Sequence, residues 1–166
     1  MTIHRCVRAM GTKTNAARIL EQAGVAFELR EYHFDEEHFS AESVAAELGM
    51  PPETVFKTLI ALGDATGPLF AVIPAGTELD LRALAAASGN RRIEMAPLRD
   101  VLDLTGYMRG AVTVPGAKRA YPVFIDETVQ LWPAVAISAG ARGLQIVLAP
   151  DDLIRIAGAQ LADIAH

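Results

Sequence analysis

Cysteine is almost absent. Cys6 stands alone, which excludes an internal disulfide and any cysteine-based zinc cluster. That scarcity points to a reducing compartment, and a cytoplasmic location is expected. The four histidines, His4, His33, His38 and His166, show no zinc-ligand spacing, so no metal site and no cofactor are expected. Long apolar runs are also missing. The longest stretch free of charge, Thr128 to Ala141, falls short of the roughly 18–20 apolar residues that a bilayer span needs. No apolar run follows Arg5 and Arg8, so the first residues do not read as a secretory leader. There is no Gly-rich dinucleotide loop and no phosphate loop ending in Gly-Lys-Ser/Thr. Repeats and Pro/Gly/Ser linkers are absent too, and one domain is expected over residues 1–166, with residues 1–11 frayed.

What is present is enough for a folded core. The chain has 166 residues, of which 51% are hydrophobic and 21% charged, with a mean hydropathy of +0.25. The net charge of -5 argues against a nonspecific nucleic-acid coat. Charge is nevertheless uneven. Residues 82–119 carry seven basic residues (Arg82, Arg91, Arg92, Arg99, Arg109, Lys118, Arg119) against Glu94, Asp100 and Asp103. Such a window can contact a phosphate backbone, although solvated surface arginines account for it equally simply.

The apolar pattern switches repeatedly between helical and strand periods. Thr14 to Gly24, a helix capped by Ser40 and stopped by Gly49, Leu81 to Ser88 behind Asp80, Leu98 to Gly106 and a last helix opened by Pro150 read as helices. Phe27 to His33, Val55 to Leu62, Leu69 to Ile73, Arg91 to Met95, Val123 to Asp126, Ala134 to Ser138 and Leu144 to Leu148 read as strands. Strict strand–helix alternation is absent, which excludes a doubly wound parallel sheet. The pattern predicts an α+β domain: a mixed, barrel-like sheet of six to seven short strands with helices packed outside.

Three constellations could carry chemistry. In Val55-Phe56-Lys57-Thr58-Leu59, strand alternation places Lys57 on one face with Val55, Leu59 and Ala61. An ammonium among apolar neighbours either snorkels to water along its stem or waits for an anion in a pocket. Thr105 to Gly116 holds Gly106, Gly110, Gly116 and Pro115 among small residues, giving a loop whose backbone a ligand can approach, or a plain surface loop. Ile137 to Leu144 joins two apolar strands through small residues. Ser138 there has no histidine at a recognisable motif distance to act as its base.

The order Tyr32, Val55-Phe56-Lys57-Thr58-Leu59, Thr105-Gly106-Tyr107 and Ser138-Ala139-Gly140-Ala141-Arg142-Gly143-Leu144 resembles the YbaK/EbsC family. These are free-standing aminoacyl-tRNA deacylases related to the editing domain of bacterial prolyl-tRNA synthetase. The resemblance runs from about Thr14 to Ile164, and Asp126 and the ending Leu161 to Ala165 are similar to the Cys-tRNA(Pro) deacylase branch. It implies an α+β editing domain acting on the 3′ aminoacyl-adenosine end of a mischarged tRNA, with prolyl-tRNA synthetase as a partner in a ternary complex. It implies Lys57 and Gly110 as catalytic residues. It implies substrate contacts from Tyr32, Thr58, Ala111, Thr113, Ser138, Gly140 and Gln145.

Two positions depart from the family pattern. The loop proline falls at Pro115, one residue later than the family's Gly-x-x-x-Pro spacing from Gly110 predicts. Gln145 stands where the Cys-specific branch carries an acidic residue. An activated ester needs positioning and oxyanion stabilisation more than a strong base. The expected chemistry is therefore substrate-assisted cleavage, with Lys57 on a phosphate or ribose oxygen and main-chain N–H groups of residues 110–113 facing the carbonyl oxygen. Cys-tRNA(Pro) is the expected substrate. Ala- or Ser-tRNA(Pro) deacylation and a noncatalytic aminoacyl-nucleotide binding module are the alternatives.

Overall fold

A computed structural model describes residues 14–166; His4, Cys6 and the fraying expected of residues 1–11 lie outside the described residues. Local signals set most helix ends. Helix α1 (Asn15–Gln22) begins where the Thr14 hydroxyl accepts the Ala17 N–H at 3.1 Å, and it buries Ala16, Ala17 and Leu20. Helix α2 (Ala41–Leu48) starts with a reciprocal capping box between Ser40 and Ser43 and stops at Gly49, whose φ is +67°. Asp80 caps α3 (Leu81–Ser88) through the Ala83 N–H. Helix α4 (Val101–Thr105) is short and follows a 3-10 turn over Leu98–Asp100, and Pro150 opens α5 (Pro150–Ala157).

Among the described residues eight strands form two sheets. One contains β1 (Phe27–Glu31), β7 (Leu144–Leu148) and β6 (Val135–Ser138), in that order and all antiparallel. The other has the order β4-β2-β3-β5-β8, from β2 (Phe56–Gly63), β3 (Gly67–Pro74), β4 (Ile93–Met95), β5 (Val123–Asp126) and β8 (Gln160–Ala162). Its β2–β3 and β2–β4 pairs are antiparallel, whereas β3–β5 and β5–β8 are parallel. The expected α+β class stands, but the single barrel-like sheet of six to seven strands does not describe this arrangement. Between the sheets the described residues form one parallel bridge, Val55 with Ala136. The eighth strand, β8, has three residues and no apolar alternation, so pattern reading passed over it. A side-chain carboxylate anchors the chain just beyond it: Asp126 Oδ1 accepts the main-chain N–H groups of Ile164 at 3.0 Å and Ala165 at 3.1 Å.

The main core lies where the two sheets and α1 meet, with Leu20, Phe27, Phe56, Phe70, Ile125 and Ile146 buried in it. The other face of the larger sheet packs Leu69, Ala71 and Ile73 beneath Leu84 of α3 and Ile164. A small third cluster, Ala45, Val55, Ala75, Ala136 and Val147, surrounds the bridge between the sheets.

Candidate active site

The bridge between Val55 and Ala136 sets the site. Lys57 lies two residues beyond Val55, and Ser138 lies two residues beyond Ala136. Side chains two residues apart on a strand share a face. Past the bridge β2 and β6 are not paired, and a cleft of about 320 Å³ opens between them, lined by Lys57, Thr58, Gly110, Ser138 and Gln145 among others. Ser138 is directly opposite Gln145 in the β6–β7 ladder, and Gln145 is opposite Arg30 in the β1–β7 ladder. Lys57, Thr58, Gly110, Ser138 and Gln145 are thus brought together from three separate segments of chain.

Lys57 is half-buried and pairs across the sheet with Ile73. Leu59 and Ala61, on its strand face, belong to the apolar cluster beneath α3. Among the described residues it makes no hydrogen bond and no ion pair within 4.0 Å. The cleft does contain one carboxylate, Glu42, in the first turn of α2. Glu42 is held below the ordinary carboxylate range chiefly by backbone hydrogen bonding, against a smaller opposing effect of burial, and the positive charge of Lys57 adds to the lowering. Arg109 is the remaining charged residue of the lining.

The segment from Gly106 to Ala117 forms a second wall. Gly110 has φ +89°, and a Cβ there would stand 3.1 Å from Cε2 of Phe34. The positive φ favours glycine, and a Cβ would also need the Phe34 ring to give by a few tenths of an ångström. Phe34 packs against Phe39, and the Arg142 guanidinium lies over the Phe34 ring at 4.7 Å. Arg142 Nε also donates to the Arg109 carbonyl at 2.9 Å. The loop that carries Gly110 is therefore clamped from the β6–β7 connection.

The expected run of free donors over residues 110–113 needs correction. The Ala111 N–H is already spent on the Met108 carbonyl at 2.9 Å, closing a turn. The N–H groups of Gly110 and Val112 make no hydrogen bond among the described residues, and both residues line the cleft.

Tyr32, Ala111, Thr113 and Gly140 do not line the cleft. Tyr32 is buried, with its N–H on the Gly143 carbonyl at 2.9 Å, and Ala111 and Thr113 are buried too. Among the described residues the hydroxyls of Tyr32 and Thr113 and the Gln145 Oε1 have no hydrogen-bond partner. Gly140, at φ +87°, backs onto Tyr107, whose ring would lie 2.8 Å from an added Cβ. Tyr107 in turn donates its hydroxyl to the Pro115 carbonyl at 2.7 Å, and burial raises its pKa above the usual phenol value. Pro115 is thus tied to the loop through Tyr107. Sequence reading did not name Glu42, placed Arg109 only in the basic 82–119 window, and covered Val112 only within the 110–113 stretch. Glu42 and Arg109 look like ordinary surface charges in the sequence, and only the packing of α2 and the 106–117 loop brings them to the cleft.

Among the described residues no group of His, Cys, Asp or Glu could hold a metal ion, and no helix is long and apolar enough to cross a membrane. The seven basic residues of the 82–119 window are all exposed.

Residues 35–156 match the sequence profile of the aminoacyl-tRNA editing domain. The chain is 45% identical over 152 residues to the Enterococcus faecalis protein named "Putative Cys-tRNA(Pro)/Cys-tRNA(Cys) deacylase EbsC", covering 92% of this chain and 93% of that one. Its fold is similar to that of a solved structure described as "a putative trans-editing enzyme for prolyl tRNA synthetase". The TM-score is 0.80 at 24% identity, covering 93% of this chain and 99% of the other. A second solved structure, of a hypothetical protein, gives a TM-score of 0.83 at 23% identity over 92% of this chain and 99% of the other. This chain belongs to the aminoacyl-tRNA editing domain family, as its YbaK/EbsC-like motifs imply, and by class it is an aminoacyl-tRNA deacylase.

Proposed function

We propose that this protein edits in trans, removing a small, wrongly attached amino acid from tRNA(Pro), with Cys-tRNA(Pro) as the first candidate substrate. The observation that carries this reading is Lys57, a half-buried lysine without an ion-pair partner among the described residues, in a cleft also lined by Gly110 and Val112, whose N–H groups make no hydrogen bond among those residues. The named deacylase activity of the Enterococcus faecalis relative supports the choice of substrate.

In this mechanism Lys57 binds a phosphate or ribose oxygen of the terminal adenosine and fixes the reacting geometry. The N–H groups of Gly110 and Val112 face the ester carbonyl oxygen and stabilise its negative charge as the tetrahedral intermediate forms. The nucleophile comes from the substrate. The cysteine thiol attacks its own carbonyl carbon, the carbon–sulfur bond forms as the carbon–oxygen bond to ribose breaks, and the thiol proton passes to the ribose oxygen. The product is a thiolactone and a free tRNA end. Without a thiol, water attacks and the products are the free amino acid and tRNA.

Selection by size is weak, because one methylene is worth only about 1–3 kcal/mol. Gln145, in place of an acidic residue, favours a second substrate set, Ala- and Ser-tRNA(Pro). Acceptor-stem contacts from the 82–119 window are salt-dependent, and tRNA identity is supplied by a ternary complex with prolyl-tRNA synthetase. The deciding experiment charges tRNA(Pro) with Cys, Ala or Ser and follows ester loss with and without that synthetase. Fastest loss from Cys-tRNA(Pro) is expected. Binding of aminoacyl-adenosine analogues without release of any amino acid would instead make this a noncatalytic binding module.

A further inference from the structure

Gln145 lines the cleft and is 5% exposed, yet its buried Oε1 has no hydrogen-bond partner among the described residues. Buried carbonyl oxygens are normally paired, so an orphan at a ligand cleft marks a place where a ligand donor belongs. Neither neighbour on the sheet bonds it: Arg30 is engaged with Glu28, with Nε 2.9 Å from Oε1, and Ser138, whose Oγ accepts the Gly140 N–H at 3.2 Å, makes no bond to Gln145 Oε1. Gln145 lies on the central strand of its sheet, paired on both sides, so its backbone is fixed.

Charge narrows the donor. The lining holds two cations, Lys57 and Arg109, and one carboxylate, Glu42. Cations suit the phosphate end of an acceptor nucleotide. A lone carboxylate together with an unpaired amide oxygen suits a cation. In an aminoacyl ester the cation is the α-ammonium, one carbon from the scissile carbonyl, with three N–H donors.

We propose that Gln145 Oε1 receives the α-ammonium of the bound amino acid, with Glu42 balancing its charge, so that the cleft admits only esters whose α-nitrogen is unacylated. This deepens the aminoacyl-ester reading above and rests on it. Acylation removes the positive charge and leaves the nitrogen one N–H in place of three. Esters of peptidyl type are thereby spared, whatever their side chain.

The test uses 3′-alanylamino-3′-deoxyadenosine, an uncleavable amide analogue, and its N-acetyl derivative, each titrated calorimetrically into the full chain. Deacylation of Ala-tRNA(Pro) and N-acetyl-Ala-tRNA(Pro) is followed in parallel. N-acetylation is expected to weaken binding about tenfold or more, the scale of a charge-assisted hydrogen bond. Gln145→Met keeps the length of the side chain and removes the acceptor. It is expected to lose about tenfold in affinity for the free amine and to close most of the gap between the two analogues. Gln145→Glu restores an acceptor and preserves the gap, and circular dichroism confirms that both variants fold. Equal binding of the two analogues, an undiminished gap in Gln145→Met, or no binding of either analogue overturns the proposal. A persistent binding gap without cleavage of any charged tRNA overturns the deacylase reading and leaves the ammonium site standing.

Discussion

Lys57 carries a charge on a strand face shared with Leu59 and Ala61, and an ammonium in that position needs an anion or water. Lys57→Ala is therefore expected to fold normally and to lose about 100-fold or more in single-turnover deacylation. Thermal melting beside the rate assay separates the two effects, and near-native turnover in a folded variant removes Lys57 from the mechanism. Lys57→Arg keeps the charge but replaces a compact point donor with a planar fork, and a large loss is expected there as well. Gly110→Ala meets both a positive φ and the Phe34 ring at 3.1 Å. It is expected to cost about 1–2 kcal/mol in the melting assay and to slow cleavage. Lys57 was legible in the sequence because period-two alternation placed a charge where apolar residues belong. The occupied N–H of Ala111 was not legible, since the turn from Met108 depends on loop dihedrals that no residue pattern encodes. Glu42 and Arg109 were illegible for a different reason: their nearness to Lys57 is a product of tertiary packing.

At the level of elements, capping chemistry was readable in advance. Ser40 with Gly49 and Asp80 with Gly89 bound helices where sequence reading placed them. The weakest reading was β8, whose three residues carry no period and whose partner is chosen by Asp126. Asp126 is 2% exposed and also accepts from Thr128 Oγ1, so Asp126→Ala is expected to destabilise the domain by about 2–3 kcal/mol, read by denaturant unfolding. The 106–117 loop is held from outside by Arg142, which combines one hydrogen bond with a stacked guanidinium. Arg142→Lys keeps the charge but lacks the Nε donor and the flat face. It is expected to lower kcat several-fold with little change in melting temperature, because it loosens only the wall that carries Gly110.

For the molecule as a whole, a net charge of -5 coexists with an exposed basic window over residues 82–119. Binding of tRNA is expected to weaken steeply with salt, and charge reversal at Arg91 and Arg92 should flatten that dependence, measured by filter binding. Stability should also vary with pH at both extremes. Asp35 is held below the ordinary carboxylate range first by its bond to the His38 ring, Glu42 by backbone bonds, and Asp64 first by the Arg92 N–H. Depressed carboxyls contribute stability above about pH 4 and lose it as pH falls further; these groups are exposed, so the acid limb is shallow. The raised Tyr107 phenol works the other way, contributing fully below about pH 10 and losing its contribution as pH climbs through its folded value. Tyr107→Phe should remove that alkaline decline in a series of melting curves. Finally, the two sheets join through Val55 and Ala136 alone among their described strand pairs, at the rim of the reactive cleft. That single bridge sits over the packed core where the sheets meet, so the seam is short in ladder pairing but continuous in packing. A docked acceptor end touching both leaves should quiet local breathing there, visible as slower amide deuteration in β2 and β6 than in the capped helices.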